Sequence, residues 1–142
     1  MRLALVVVVL VFGALLAGCG ASGPTDRQQI ETSLLTYYKS FGKGDTGGAC
    51  NELAKDTKAA LEKAGRGKDC TAILDAALKR PDYAAIASKL QNARVTKITI
   101  AGDKASAVVL VPGVTANGAL GARTTVPLLK EGGAWKIVGA PQ

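Results

Sequence analysis

The chain contains no histidine, and its 142 residues include only six aromatic side chains (Trp 1, Tyr 3, Phe 2) and three cysteines. Without imidazole, and with no close cysteine spacing, the donor set for a zinc centre is missing and so is the commonest general base. No metal, cofactor or catalytic residue is expected. Too few aromatics are present to stack on bases. The basic residues, among them Lys39, Lys43, Lys55, Lys58, Lys63, Arg66, Lys68, Lys79 and Arg80, are scattered without a block of five, so nucleic acid is not an expected partner. A long hydrophobic run is missing too. Leu3 to Leu16 is apolar, but as a helix it spans about 21 Å against a hydrocarbon core of about 30 Å, which is short for a permanent span.

What is present begins with that run. Met1 and Arg2 form a positive start, and the apolar stretch leads into Leu16-Ala17-Gly18-Cys19, which resembles the lipobox of bacterial lipoproteins. The resemblance implies cleavage before Cys19, a diacylglycerol thioether on its sulfur, and attachment to the extracytoplasmic side of a bacterial cell membrane. Ordinary cleavage without lipid is the alternative. A second acyl chain would secure the anchor, since burial contributes about 0.8 kcal/mol per methylene and one chain holds only marginally. The expected organisation is a signal peptide over 1–18, a lipidated N-terminus and small, breaker-rich tether over 19–24, and one domain over 25–142. That length suffices for a real core. The mature part carries 17 Lys and Arg against 11 Asp and Glu, read here as a solvated basic surface that also suits anionic headgroups or cell-wall polymers.

Once Cys19 is acylated, Cys50 and Cys70 remain, and in an exported chain they read most simply as one disulfide, with two spectator thiols as the alternative. Thr25-Asp26-Arg27-Gln28 fits a capping box. Ile30, Leu34, Tyr37, Tyr38 and Phe41 then form one helical stripe, ended by Gly42 and Gly44. Asp45 is placed to cap a second helix running through Leu61. Cys70 opens a third, stopped before Pro81, and Asp82 to Leu90 predicts a further helical turn or two. After Gln91 the period changes to two. Val95–Ile100 and Ala105–Val111 predict a hairpin around Gly102-Asp103, Pro112 to Ala122 predicts a flexible loop, and Arg123–Leu129 with Ala134–Val138 predicts a second hairpin. Pro127 points to an edge position or a bulge. Helices followed by an antiparallel sheet of about four strands make the class α+β.

Several of these segments together resemble the nuclear transport factor 2-like superfamily as found on small exported lipoproteins. They are Ile30 to Phe41 with Gly44-Asp45, Ala49-Cys50-Asn51-Glu52-Leu53 with Cys70, the strands around Gly102-Asp103-Lys104-Ala105, and Gly133-Ala134-Trp135-Lys136-Ile137. The resemblance implies a cone in which helices pack on a curved sheet, often around an apolar cavity, and it implies that Cys50 and Cys70 are bridged. Tyr37, Tyr38, Phe41 and Trp135 are then candidate cavity-lining residues, although the tyrosines also fit a plain core and Trp135 a cover over the last hairpin. The superfamily's isomerases and dehydratases place an acid or an Asp/His pair in the cone, and no predicted strand here carries one. Thr124 and Thr125 have no evident base. Glu52 and Asp56, a helical turn apart, fit a solvated face better than an acid pair.

The expected function is therefore a non-enzymatic, membrane-anchored module of the cell envelope that binds a small apolar ligand or an envelope protein. A small isomerase- or hydrolase-type enzyme and a purely structural component are the alternatives.

Overall fold

Residues 23–116 and 119–139 are described by a computed structural model, and the apolar leader with Cys19 lies outside them. The first helix, α1 (Asp26–Lys43), starts where the sequence predicts. Thr25 Oγ1 accepts the Gln28 amide at 3.3 Å, and Gln28 Oε1 accepts the Thr25 amide at 2.9 Å. Its stripe of Ile30, Leu34, Tyr37, Tyr38 and Phe41 is buried. Gly44 ends it with φ of 80°, a left-handed cap that donates to the Phe41 carbonyl. Gly42 differs from expectation, because it stays helical. A Cβ there would lie 2.5 Å from the Ala87 carbonyl oxygen, so its missing side chain lets a later helix cross closely.

The expected long second helix is two helices, α2 (Thr46–Asn51) and α3 (Lys55–Ala64). Asp45 caps α2 by accepting the Gly48 amide at 2.9 Å. Between them the backbone leaves the helix to pair with the chain's last strand. Ile137 donates its amide to the Glu52 carbonyl, and Ala54 donates to the Ile137 carbonyl, both at 2.8 Å. Leu53, only 1% exposed, bridges to Ile137 at this point and joins the core. Two further helices follow, α4 (Cys70–Leu78), capped by Asp69, and α5 (Pro81–Leu90), whose Pro81 occupies the first turn where its missing amide costs nothing. Cys50 and Cys70 are bridged with Cα atoms 6.1 Å apart, joining α2 to the start of α4.

Four antiparallel strands complete the fold in the order β1 (Arg94–Ala101), β2 (Lys104–Ala116), β3 (Ala119–Glu131) and β4 (Ala134–Ile137). The expected loop over Pro112 to Ala122 is mostly strand. Thr115 pairs with Leu120 and Ala116 with Ala119, so β2 and β3 run on as a long arm past a register shift between Val111 and Thr115. Pro112 and Gly113 sit in that shift, where a proline breaks no ladder bond and Gly113 takes φ of 73°. Lys89 of α5 braces it, donating to the Gly113 carbonyl at 2.6 Å. A second shift between Val95 and Lys97 lies on the neighbouring strand, and the two irregularities bend the sheet. Pro127 marks neither an edge strand nor a bulge, because β3 lies between β2 and β4 and Pro127 pairs with Ser106 in register. Its carbonyl accepts the Val138 amide, so its missing N–H points to the β4 side just beyond the last ladder pair, Leu128 with Ile137.

The helices cover the inner face of this curved sheet, forming an α+β cone. Among the described residues its core cluster runs from Ile30 to Ile137.

Candidate functional site

Helix periodicity and strand alternation bring apolar side chains from six elements around one cavity. Tyr37, Tyr38 and Phe41 enter from α1, Leu61 from α3, Ile73, Leu74 and Ala77 from α4, and Tyr83, Ile86 and Leu90 from α5. Val111 and Val114 of β2 and Ala122 and Thr124 of β3 form the opposite wall. The volume is about 480 Å³. That lies in the range of roughly 300–1,000 Å³ typical of small-molecule sites, which combine apolar walls with a few placed polar groups. The irregular stretch of β2 forms part of this wall, since Val111 borders the register shift and Val114 lies within it.

All three tyrosines and Phe41 share one wall. Tyr37 meets Tyr38 edge-on at 5.4 Å and stacks on Phe41 at 6.2 Å, and Phe41 meets Tyr83 edge-on at 6.1 Å. Burial pushes the Tyr38 phenol up to about 12 and raises that of Tyr37 as well, with Tyr38 and Tyr83 adding to the latter shift. Both phenols are therefore neutral at physiological pH and act as hydrogen-bonding groups.

The cavity opens beside the start of α5. There Arg80 donates to Asp82 in a fork, Nη2 to Oδ2 at 2.8 Å and Nε to Oδ1 at 3.2 Å. Its Cζ also lies 5.4 Å from the Tyr83 ring centroid. The Arg80 hydrogen bonds hold the Asp82 carboxyl below its ordinary value. This exposed pair marks the mouth and is the charged group nearest the apolar interior.

Of the four residues singled out from the sequence, the structure brings Tyr37, Tyr38 and Phe41 together at this cavity. Trp135 lies elsewhere, 2% exposed on the inner face of β4, with its indole N–H donating to Asp26 Oδ1 at 3.0 Å. It misses the cavity because β4 pairs with the turn-proximal end of β3, whereas the cavity borders the opposite half of that strand. Lys130 reaches the same Asp26 oxygen at 2.7 Å and lies over the indole at 5.7 Å, so the three residues clip the start of α1 to the sheet. Glu52 and Asp56 do not form a pair on one helix face. Glu52 turns inward at the end of α2, 2.6 Å from Ser33 Oγ, while Asp56 begins α3. Ser33 Oγ is also 2.9 Å from the Trp135 carbonyl, two acceptors competing for one proton. Among the described residues no three His, Cys, Asp or Glu side chains converge as a metal site would require, and no helix is long and apolar enough to cross a membrane.

Tyr83, Arg80 and Asp82 are site residues that reading for motifs passes over. The available signal was the stripe Tyr83, Ile86, Leu90, which has the same period as any core-facing helix. Only the placement of α4 and α5 turns it toward a cavity.

No protein-family model matches the sequence, and no curated protein does either. Among solved structures, a Campylobacter jejuni protein described as a candidate NTF2-like transpeptidase is similar over 82% of this chain and 100% of its own. The TM-score is 0.52 and the identity 18%. Likeness at that identity concerns the fold alone, and the fold is the nuclear transport factor 2-like cone.

Proposed function

We propose that this chain is a lipoprotein held on the extracytoplasmic side of a bacterial membrane by diacylglycerol on Cys19, and that its cone binds a small apolar or amphipathic molecule. The observation that carries the binding half is the cavity of about 480 Å³, walled by aliphatic and aromatic side chains with two desolvated phenols. Such a wall favours an apolar body by removing its surface from water, and neutral hydroxyls orient a polar end. The anchoring half rests on the Leu16-Ala17-Gly18-Cys19 pattern.

Titration with the apolar dye N-phenyl-1-naphthylamine tests the site. A saturable fluorescence increase is expected, and Ala77→Trp, which fills the cavity, should weaken it at least tenfold, about 1.4 kcal/mol. An increase that does not saturate, or that Ala77→Trp leaves unchanged, contradicts the reading. For the anchor, metabolic labelling with a fatty acid should mark the wild type and leave Cys19→Ala unmarked.

A second reading is catalysis, favoured by the desolvated phenols and by the description of the Campylobacter protein. Phenols raised above their ordinary value donate protons in hydrogen bonds but do not serve as bases at neutral pH. Acyl transfer also needs a nucleophile with an adjacent base. Thr124 is the hydroxyl on the sheet wall, and Asp82, the carboxylate at the mouth, is engaged by Arg80. Cleavage of an activated peptide ester by the wild type and not by Thr124→Val would favour catalysis over binding.

A further inference from the structure

Alternation along β1, β2 and β3 gives the sheet two faces of different chemistry. The inner face turns Ile98, Ala107, Val109 and Val126 toward the helices. The register defines the outer face row by row. Leu110 lies between Arg94 and Arg123, Val108 between Lys97 and Thr125, Ser106 between Thr99 and Pro127, and Lys104 between Ala101 and Leu129. Arg94, Lys97, Lys104 and Arg123 are exposed, while Val108 and Leu110 are half-buried between them. These rows contain no carboxylate. Two carboxylates border them: exposed Asp103 in the β1–β2 turn beside Lys104, and Glu131 at the β3–β4 turn, which is turned toward α3 with its Oε2 accepting the Lys55 amide at 3.2 Å. On β4, Lys136 continues the Lys104 row and pairs with Glu52 at 3.9 Å. Among the described residues none of the four cations has an ion-pair partner. Elsewhere charges of both signs mix, as at Arg80 with Asp82 and Lys130 with Asp26.

We infer that this outer face is a docking surface for an anionic bilayer, with the four cations at lipid phosphates and Val108 and Leu110 at the headgroup boundary. Within these rows the charge is of one sign and surrounds an apolar strip, the arrangement that anionic interfaces attract. The inference draws on the proposed Cys19 anchor for proximity. Residues 20–24 reach about 17 Å when extended, more than the ~10 Å spacing of packed layers, so the tether allows the sheet to turn onto the membrane.

The test uses residues 20–142, which keep every core residue of the described structure and carry no acylation site, so its outcome is independent of lipidation; fatty-acid labelling at Cys19 reports the anchor separately. Co-sedimentation with phosphatidylcholine vesicles containing phosphatidylglycerol should retain the domain at low salt and lose it near 0.5 M NaCl, where the screening length falls to a few ångströms. Vesicles of phosphatidylcholine alone should retain none. Lys97→Glu with Arg123→Glu should lower partitioning at least ~25-fold, at roughly fivefold for each cation lost. Lys39→Glu with Lys63→Glu, on α1 and α3, should leave it within about twofold of the wild type, less than the roughly fivefold of one such contact. Circular dichroism checks that both pairs fold. Absence of binding, equal binding to both vesicle types, or equal loss in both variant pairs overturns the assignment. So does a dimer in sedimentation velocity whose dissociation accounts for the loss, since the face would then join two copies of the chain.

Discussion

Tyr37 and Tyr38 are neighbours in sequence and both buried, because α1 presents a wide apolar face that meets helices on one side and the sheet on the other. Their phenols lose water without gaining charge partners, which raises both above the ordinary value of 10.0. A group raised on folding contributes stability that is complete below its unfolded pKa and is lost as pH climbs through the folded one. Thermal stability should therefore fall as pH passes from about 10 toward 12. Tyrosinate absorbance at these two sites should appear above the ordinary range and together with unfolding. Asp26 behaves oppositely. Hydrogen bonds from Lys130 and then Trp135 lower its carboxyl below the ordinary 3.8, so its contribution is complete above that value and is lost as pH falls through the folded pKa. Asp26→Asn should lower the melting temperature at neutral pH and flatten its fall below pH 4, as scanning calorimetry across that interval would show.

The elements show where local pattern carries the fold and where it fails. Capping chemistry at Thr25, the stripe of α1, the stop at Gly44 and the turn at Gly102-Asp103 are local, and each was legible. The break at Glu52–Ala54 was not, because it depends on pairing with Ile137, more than eighty residues away, while its own residues keep helical spacing. The proline and glycines of Pro112 to Ala122 usually punctuate a chain and so predict a loop, but Pro112 and Gly113 serve a register shift inside a hairpin. The cavity was half legible. The α1 aromatics announced one wall, but Tyr83 and the Arg80–Asp82 mouth depend on how α5 crosses α1 at Gly42. Gly42→Ala should cost roughly 1–3 kcal/mol in urea unfolding, since the methyl meets backbone rather than a flexible side chain. Cys50→Ser, which releases a bridge spanning 20 residues, should cost about 3 kcal/mol and make stability insensitive to reductant. Stability that responds to reductant in the wild type and the variant alike would assign the effect to something other than this bridge.

At the scale of the whole molecule, the cone separates its surfaces by chemistry. Its inner side is apolar and holds the cavity, its mouth is a closed ion pair, and its outer sheet face is basic. The bridged Cys50 and Cys70 fit an oxidising compartment, in keeping with the export and anchoring proposed from the leader. Since the cavity lies on the opposite side of the sheet from the basic face, a domain resting on the membrane would keep its mouth accessible. Binding in the cavity is checked by native mass spectrometry of residues 20–142, exported and purified without detergent. A mass a few hundred daltons above the chain is expected, from a small molecule or added N-phenyl-1-naphthylamine, with that increment absent from Ala77→Trp. A bare chain mass that the dye does not change, or an increment that Ala77→Trp retains, would contradict it.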